Sequence, residues 1–432
     1  MSTRRSFVSG AAGITTASAA ARKPEILAVN GGPKAVTLPA DRHSALTKWP
    51  RYGHDEKQAV MDLMESNRYY QEIPLLEQDE KKYLGVPYVK AHCNGTSALM
   101  SMFFALDLPP GSEVLVPSYT ASATIVPMRF FGLVPVFVDS DPETACFDLD
   151  HARKVMTPQA RALVPQHAWG LPCDLDQMAA FAKEKGLILC EDAAQSHGAS
   201  LKGRQTGSWG SISILSYQAS KVLPAIEGGL GIYQSREYYE RAAAFGDYTL
   251  PGTFPEESPY RKYHDTGFGP KFRIHPLAAA IARRQLTKLD QSNELINSQI
   301  RKLNDRITQL PGLTRQRQRP DVKRVHWASN IMFFDEAKAG FSKPALLKAL
   351  QAEGVRASAA TYPEQHQFAI YREARWWHHA PKVPDVLPGC AQVNKTSIRL
   401  PLITAEAPEL IEQYGAAFEK VWARKGDLGR TS

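Results

Sequence analysis

LILCEDAAQ, residues 187–195, joins a short apolar run to two acidic residues, two alanines and a glutamine. The run predicts a buried strand that ends at Glu191 and Asp192. Ligands of open parallel sheets bind beyond the carboxyl ends of the strands, so polar residues at this point are candidates for a site. An acidic residue at a strand end is more often a polar stop or a helix cap, and Asp192 alone would decide nothing.

Further apolar runs of the same kind surround this segment. Between about residues 95 and 245 they alternate with helix-like stretches, which is the pattern of a parallel sheet covered by helices. No glycine-rich nucleotide-binding motif follows the first strand, which disfavours a nucleotide-binding α/β enzyme. The predicted strands span residues 113–117, 134–139, 162–166, 187–192, 212–217 and 230–233.

The chain after the sheet begins with a loop and two helices. Residues 252–270 are rich in Gly, Pro, Tyr and His, a composition that indicates a long ordered loop near a site. Residues 274–289 and 295–310 carry apolar residues at helical spacing and predict two amphipathic helices.

The rest of the chain predicts a small α+β domain, with a strand at 330–334, a helix after Ser342 and a strand at 396–400. At 432 residues the chain exceeds what one hydrophobic core usually serves. We therefore predict a large domain over residues 30–290, including an N-terminal extension, and a small domain over residues 291–432.

The first 29 residues differ from the rest. Residues 3–8, TRRSFV, match the twin-arginine export signal, and an Ala-rich stretch with an A-x-A-like end at residues 17–19 follows. A working leader would take the protein to the periplasm or out of the cell, whereas a disordered basic tail would leave it cytoplasmic. No later run approaches about 20 apolar residues, so we predict no membrane span.

The charge and the cysteine content of the chain limit the kinds of ligand that the sequence predicts. With 52 basic and 44 acidic residues the formal net charge is +8. A basic cluster without interleaved aromatic residues is either a solvated loop face or an anionic-substrate patch, and it does not predict nucleic-acid binding. The five cysteines include no C-x-x-C pair and predict buried thiols rather than a metal site. The basic cluster is Arg315, Arg317, Arg319, Lys323 and Arg324.

Polar residues follow two other predicted strands, SYT at 118–120 and QASK at 218–221. Together with Asp192, they would meet at one edge of the sheet. The segment NGTSAL, residues 94–99, opens a helix, where a glycine and unpaired amides favour a phosphate group. A simple Ser/Thr helix cap explains that segment equally well.

Several stretches, in this order and spacing, resemble the DegT/DnrJ/EryC1/StrS family of sugar aminotransferases. The resemblance covers residues 30–402, and EDAAQ combined with S-x-x-x-x-K and EGG is its most specific part. It implies the type I pyridoxal-phosphate (PLP) transferase fold, like aspartate aminotransferase, with a doubly wound mixed sheet in the large domain, a smaller C-terminal α+β domain and a homodimer. The stretches are NGTSAL from residue 94, VPSYTASAT from 116, VPVFVDSDPET from 134, LCEDAAQSHGA from 189, KGRQTGSWG from 202, SYQASKVLPAIEGG from 216 and GPKFRIHPLAAAIARRQL from 269.

The resemblance implies roles that agree with the chemistry. Lys221 would form the Schiff base with PLP and then act as the proton-transferring base. Asp192 would face the pyridine nitrogen and keep it protonated, since a nearby carboxylate raises a cation's pKa by ~1 to 3 units. Gln195 would bond the phenolic oxygen of the cofactor. Lys271 would reach the phosphate of the neighbouring subunit, unless it is only a solvated loop lysine. The remaining cofactor-binding candidates are Gly95, Thr96, Ser97, Tyr119 and Ser216.

Two departures from the family matter. Ala121 stands where an aromatic ring usually stacks on the cofactor, so we expect Tyr119 or Trp169 to replace that ring, at a cost of about 0.5 to 1.5 kcal/mol if neither does. Residues 224–227, PAIE, replace the usual Thr-Gly-Glu type of sequence. Candidate substrate residues, each of which could instead be a packing residue, are His167, Gln218, His326 and Tyr362, and further Tyr217, Tyr263, His264, Trp327 and His366.

These observations predict a ping-pong aminotransferase that takes its amino group from glutamate or glutamine and gives it to a keto-sugar or keto-cyclitol. Residues 218–223, QASKVL, look closest to the branch that aminates keto-inositols. The family's dehydratase branch has histidine where Lys221 stands, which argues against it. A PLP-binding sensor without turnover is the alternative, motivated by Ala121 and residues 224–227.

Overall fold

The computed structural model describes residues 25–430, so the twin-arginine segment lies outside the described residues. The helices are α1 (Ala40–Leu46), α2 (His54–Ser66), α3 (Glu72–Leu84), α4 (Gly95–Leu106), α5 (Leu149–Val155), α6 (Leu175–Lys185), α7 (Arg236–Gly246), α8 (Pro276–Ile307), α9 (Glu336–Ala339), α10 (Lys343–Ala352), α11 (Ala369–Arg372), α12 (Pro388–Thr396) and α13 (Pro408–Ala423). The strands are β1 (Tyr88–His92), β2 (Glu113–Pro117), β3 (Val134–Val138), β4 (Ala160–Leu163), β5 (Ile188–Asp192), β6 (Ser200–Leu201), β7 (Arg204–Gln205), β8 (Ile212–Ser216), β9 (Gly229–Tyr233), β10 (Leu313–Arg315), β11 (Val322–Lys323), β12 (Asn330–Phe334), β13 (Ser358–Ala359) and β14 (Ser397–Leu400).

Seven strands form the central sheet in the order β1-β9-β8-β5-β4-β2-β3. The strands from β3 to β8 in this order run parallel, whereas β9 is antiparallel to both β8 and β1. Every residue of β2, β3, β8 and β9 is buried. Because alternate side chains point to opposite faces, both faces of the sheet are covered. The predicted doubly wound mixed sheet is confirmed.

One strand of this sheet escaped prediction. The predicted strands are all present, with ends that differ by no more than three residues. The edge strand β1 was missed because Lys90 and His92 interrupt its apolar pattern. Lys90 is nevertheless buried, and its ammonium lies 3.1 Å from the carboxylate of Glu77. The ion pair lets a charged residue occupy a strand that its sequence does not indicate.

A second, antiparallel sheet forms the small unit, in the order β10-β12-β14-β13. Helices α10 and α13 share one apolar core with it. Its strands β12 and β14 and helix α10 agree with the elements predicted from the sequence.

The N-terminal segment packs against this small unit. Leu27 and Val36 belong to its core, and the buried carboxylate of Glu353 accepts the amide hydrogen of Ala28 at 2.8 Å. Packing therefore groups residues 27–38 with the C-terminal part of the chain, whereas the sequence analysis grouped residue 30 onward with the large domain.

A single long helix joins the two units. The prediction of separate helices at 274–289 and 295–310 was wrong, because α8 continues through all 32 residues. No Pro or Gly interrupts it after Pro276, and Asn293 and Ile296 are buried in the stretch between the predicted helices. The predicted domain boundary at residue 290 lies inside this helix.

The basic cluster is largely neutralised by its neighbours. Lys323 and Arg324 have no carboxylate within ion-pair distance among the residues that the structure describes. The other three arginines of the cluster each have one. These are Arg315 with Asp305 at 3.0 Å, Arg317 with Asp141 at 2.6 Å, and Arg319 with Asp176 at 2.8 Å. This arrangement agrees with a solvated loop face.

Within residues 25–430, no helix combines the length and apolar character that a bilayer crossing requires. All five cysteines are free thiols. Four of them are buried and Cys93 is half-buried. No group of three His, Cys, Asp or Glu side chains in the same part of the chain could hold a metal ion.

The carboxylate of Glu191 holds the centre of the large domain together. It is fully buried and accepts five hydrogen bonds, at distances of 2.7 to 3.1 Å. Burial alone would raise the pKa of Glu191, but these donors outweigh burial and lower it. The donors are His167 Nε2, Ser213 Oγ and the amides of Gly207, Trp209 and Gly210.

We expect Glu191→Ala to destabilise the protein by about 3 to 5 kcal/mol, because it leaves several buried donors without an acceptor. Urea denaturation followed by circular dichroism measures the change. Glu184→Ala, which removes a carboxylate whose side chain is 56% exposed on α6, is the control and should stay within about 0.5 kcal/mol. Equal stability of the two variants would contradict the role assigned to Glu191.

The difference should also depend on pH. A carboxyl group whose pKa is lowered on folding contributes its full stability above its unfolded pKa of about 4.3. That contribution is lost as the pH falls through the lower folded-state value. The gap between wild type and Glu191→Ala should therefore shrink in acid and stay constant between pH 6 and about pH 8.

Candidate active site

The predicted polar residues meet at the carboxyl ends of the parallel strands. Asp192 is the last residue of β5 and Ser216 the last residue of β8. Lys221 follows in the turn after β8, and Tyr119 comes two residues after β2. The central sheet thus gathers these four residues at one edge, as the sequence predicts.

Asp192 is buried and held by two donors. The hydroxyl of Thr124 donates to Oδ2 at 2.7 Å, and the amide of Ala194 donates to Oδ1 at 3.1 Å. The hydroxyl of Thr120 lies 2.8 Å from that of Thr124 and extends the chain of hydrogen bonds. Sequence reasoning missed both threonines, although they stand four residues apart in the quoted stretch VPSYTASAT. This chain fixes the direction of a carboxylate that retains lone pairs for a further donor.

The side chain of Lys221 is half-buried and lies against an aromatic ring. Burial lowers the pKa of Lys221, and the carboxylates of Asp192 and Glu227 offset part of that effect. Its Nζ lies 4.4 Å from the centre of the Trp327 ring. Its backbone carbonyl accepts a hydrogen bond from the indole of Trp49 at 3.0 Å. The lower pKa increases the fraction of neutral amine, which is the nucleophilic form.

Four aromatic rings gather beside the lysine. Trp169 stacks on Trp327 with ring centres 5.2 Å apart, and Tyr362 lies 5.5 Å from Trp169 and 5.3 Å from Tyr119. The indole of Trp169 donates to the hydroxyl of Tyr119 at 3.3 Å. We refer to Tyr119, Trp169, Trp327 and Tyr362 as the aromatic cluster. It supplies several rings that could take the place of the one missing at Ala121.

Gln195 joins this cluster to the strand end. Its Oε1 accepts the amide hydrogen of Trp169 at 2.8 Å, and its Nε2 donates to the hydroxyl of Tyr362 at 3.2 Å. An amide nitrogen has two hydrogens, so one remains for another acceptor. The predicted hydrogen bond to a cofactor oxygen is compatible with this geometry.

The start of α4 meets Ser216. A Cβ on Gly95 would lie 3.0 Å from the Cβ of Ser216, so any other residue at position 95 would have to displace Ser216 slightly. Thr96 is exposed, and its side chain has no hydrogen bond to any residue that the structure describes. Ser97 is different, because its hydroxyl donates to the carbonyl of Asn94 at 2.8 Å within a capping box. Ser97 therefore takes the helix-cap role, and its hydroxyl is already engaged.

Lys271 stands apart from the other candidates. It is exposed and has neither an ion pair nor a side-chain hydrogen bond within residues 25–430. Its neighbour Phe272 accepts the amide hydrogen of Cys93 at 2.6 Å, which keeps this segment beside the start of α4. Its role toward a neighbouring subunit stays a prediction.

Several predicted substrate residues have structural positions instead. His167 is fully buried, with Nε2 on Glu191 and Nδ1 accepting the amide hydrogen of Cys173. Both ring nitrogens are therefore taken, which leaves His167 no atom for a substrate. Tyr217 is likewise buried and donates to Glu80 at 2.9 Å. Proximity in sequence to the strand ends could not reveal these partners.

The other substrate candidates differ in burial and in their hydrogen-bond partners. Gln218 is half-buried next to Lys221, and its Oε1 accepts from the amide and hydroxyl of Ser220. His326 is 9% exposed, its Nδ1 has no partner, and burial lowers its pKa well below the usual value. Tyr263 and His264 belong to the long loop at 252–270, whose ordered 3₁₀ turns agree with the prediction.

His366 is buried behind Tyr119. Its Nδ1 lies 2.8 Å from the hydroxyl of Ser118, while its Nε2 makes no hydrogen bond within the described residues and lies 3.9 Å from the carboxylate of Glu364. Trp327 and Tyr362 are part of the aromatic cluster. Of the predicted substrate residues, the structure therefore brings Gln218, Trp327 and Tyr362 to the site itself.

Comparison with known proteins agrees with this site. GDP-perosamine synthase from Escherichia coli O157:H7 is 30% identical over 238 residues, which cover 54% of this chain and 64% of that protein. The 3-amino-5-hydroxybenzoate synthase of Amycolatopsis mediterranei is 29% identical over 247 residues, covering 56% and 63%. The chain thus aligns with less than two thirds of the length of these relatives.

Solved structures extend the likeness to nearly the whole fold. DesI, solved in the presence of its TDP-sugar product, has a TM-score of 0.75 and 27% identity over 94% of this chain and 98% of its own. The GDP-4-keto-6-deoxy-D-mannose-3-dehydratase of E. coli, solved with bound hydrated PLP, has the same fold, with a TM-score of 0.74 and 19% identity over 86% of this chain and 100% of its own. Residues 50–418 match the sequence pattern of a single family. The predicted family and its fold are confirmed: this chain belongs to the DegT/DnrJ/EryC1/StrS aminotransferase family.

Proposed function

We propose that the protein moves an amino group from an amino acid, glutamate or glutamine, to the ketone of a sugar or cyclitol. The observation that carries the proposal is the pairing of a half-buried amine, Lys221, with a buried carboxylate, Asp192, at the carboxyl ends of neighbouring strands. Each is a group that transamination requires, and the carboxylate of Asp192 offsets part of the lowering of the Lys221 pKa.

The residues present fit PLP. PLP supplies an aldehyde that combines with amines and a ring that takes up electron density from the bond being broken. Asp192 has the charge to keep a ring nitrogen protonated, and Gln195 retains a hydrogen for a ring oxygen. Gly95 and Ser216, in close contact at the start of α4, form a cradle suited to a phosphate, with the exposed hydroxyl of Thr96 beside them.

Lys221 would then carry the proton. Because burial lowers its pKa, its amine exchanges a proton near neutral pH more readily than an exposed lysine does. The aromatic cluster excludes water from one side of that amine.

The proposed acceptor is inferred from the similarity of this chain to known proteins. The relatives' names include a perosamine synthase and an aminohydroxybenzoate synthase, both of which make a ring that bears an amino group. Residues 218–223, QASKVL, favour a keto-cyclitol. An export leader at residues 3–8 would also favour an acceptor that is not nucleotide-linked, because nucleotide sugars are made in the cytoplasm. A homodimer in which Lys271 contacts the partner's cofactor phosphate completes the proposal.

One feature favours the alternative, a PLP-binding sensor. Residues 224–227, PAIE, replace the usual Thr-Gly-Glu type of sequence after the lysine, and in this segment Ile226 is 58% exposed with a φ of 68°, a left-handed conformation that is rare for a β-branched residue. The holoenzyme should be mixed with glutamate, glutamine and other amino acids, and its absorbance followed for conversion to the pyridoxamine form. Conversion followed by its reversal with a keto-sugar or keto-cyclitol supports the aminotransferase, whereas no conversion by any donor supports the sensor.

Borohydride reduction should attach the cofactor to Lys221. The peptide that contains residue 221 is expected to gain the cofactor mass, because this is the amine that burial keeps nucleophilic. Lys221→Ala should lose the label and slow the donor half-reaction by about 10² to 10⁴. Lys323→Ala, at an exposed lysine of β11, is the control and should behave as wild type. A label on any other lysine would exclude the assignment.

Asp192→Asn should slow the donor half-reaction by about 10 to 10³, since a carboxylate at contact distance is worth about 1.4 to 4 kcal/mol to a cationic ring nitrogen. Stopped-flow absorbance measures the rate. Thr124→Val keeps the charge and removes only one hydrogen bond, so we expect a loss of about tenfold. If Asp192→Asn were the milder of the two variants, the charge of Asp192 would not serve the chemistry.

A further inference from the structure

A polar cavity of about 640 Å³ lies between the middle of α8 and the segment that follows β10. Cavities of this size hold small molecules. Asp192, Gln195, Ser216 and Lys221 do not line it, so it is separate from the candidate active site. Basic side chains on its wall outnumber acidic ones by six to two. The six are Arg301, Arg315, Arg317, Arg319, Lys323 and Arg324, and the two are Glu294 and Asp305.

Four of these six cations have a carboxylate partner. The weakest of the four pairs is that of Arg301, which lies 3.8 Å from Glu294 and makes no hydrogen bond with any residue that the structure describes. Lys323 has no such partner but is exposed, so water satisfies its charge. The other three pairs join Arg315 to Asp305, Arg317 to Asp141 and Arg319 to Asp176.

Arg324, the sixth cation, is half-buried and has no carboxylate partner in the described part of the chain. Burial lowers the pKa of Arg324 to about 10, and no carboxylate opposes that effect. Nε donates to the carbonyl of Val325, and Nη2 donates to the carbonyl of Trp169 and to Gln316. Nη1 makes no hydrogen bond within residues 25–430. A cation withdrawn from water without a counter-ion is costly, so this position favours an anion.

His326 lines the same cavity and is also without a partner. It is 9% exposed, its Nδ1 is buried without a hydrogen bond, and its Nε2 makes none with the described residues. Burial lowers the pKa of His326, and the positive charge of Arg324 lowers it further, because the two side chains are close. One nitrogen of a neutral imidazole carries a hydrogen. His326 is therefore a free donor next to a cation that lacks an anion.

We propose that this cavity binds a phosphate-bearing small molecule, whose phosphoryl group is held by Arg301, Arg324 and His326. The two guanidinium groups match the charge of about −2 that a phosphoryl group has near neutral pH. A phosphoryl group offers three oxygens to these three donor groups, whereas a carboxylate offers two. The cavity is larger than a phosphoryl group, and the remaining space takes the organic part of the ligand.

The ligand would bind beside the backbone of the aromatic cluster. Arg324 donates to the carbonyl of Trp169 at 3.1 Å, and His326 directly precedes Trp327. The rings of Trp169 and Trp327 are stacked with their centres 5.2 Å apart. A phosphoryl group that holds Arg324 and His326 would therefore fix the position of this stack, without supplying a reacting group to Lys221.

The test is calorimetric titration of the holoenzyme with inorganic phosphate and, separately, with glycerol 2-phosphate, at low ionic strength. In the holoenzyme the cofactor fills its own phosphate site, so the added phosphate reports a different one. We expect one site per chain. Arg301→Gln and Arg324→Gln should each weaken binding by about 10- to 100-fold, because each removes charge-assisted hydrogen bonds. Absence of phosphate binding to wild type, or equal binding to wild type and both variants, would overturn the proposal.

A matched variant separates the site from general electrostatic attraction. Arg42→Gln removes an α1 arginine that is 60% exposed and paired with Glu409, much as Arg301 is 61% exposed and paired with Glu294. Arg42 does not line the cavity, so Arg42→Gln should bind phosphate as wild type does. An equal loss of binding in Arg42→Gln and Arg301→Gln would show attraction by net charge alone and would count against the proposal.

Two further measurements complete the test. Acetate, a singly charged carboxylate, should bind to wild type at least tenfold more weakly than phosphate, and equal binding would contradict the assignment to a phosphoryl group. Because Arg324 also holds the carbonyl of Trp169, the circular dichroism of Arg324→Gln must match that of wild type. If it does not, Arg301→Gln decides alone, since it breaks no hydrogen bond. No amino donor is present in these titrations, so their result is independent of the proposed function.

Discussion

The end of β5 has to keep two negative charges side by side in the dry centre of the large domain. Glu191 and Asp192 are consecutive, and consecutive residues of a strand point to opposite faces. Glu191 receives five donors on one face and fixes the loops around it. Asp192 receives only the hydroxyl of Thr124 and one amide on the other face, and so retains capacity for a cationic partner. Glu191 thus stabilises the fold, whereas its neighbour Asp192 is available to interact with a bound molecule.

The same dryness explains the rest of the site. Removing water lowers the pKa of Lys221 and strengthens every charge that remains. It also makes each unpaired polar atom energetically costly, which is why the unused hydrogen-bonding capacity of Asp192 and Gln195 is informative. These are atoms that the protein leaves for other molecules to satisfy, whereas His167 and Ser97 are satisfied internally.

Sequence reasoning reached the sheet and its reactive edge, because apolar runs and the residues that follow them are local signals. It failed where the interaction partner of a residue lies far away in the sequence. The strand β1 was hidden by Lys90, whose partner Glu77 lies on another element, and the continuous α8 was divided because its middle contains polar residues that are nonetheless buried. His167 and Tyr217 were misjudged for the same reason, since only the fold shows Glu191 and Glu80 beside them.

The uninterrupted α8 constrains how the two units can move. At 32 residues it is about 48 Å long, and its first half is packed in the core beneath β8 and β9 while its last turns belong to the core of the small sheet. A rod embedded at both ends does not act as a hinge. Relative movement of the two units must come from sliding of packed side chains and from displacement of loops, which favours small, shear-type adjustments over a swing of one unit away from the other.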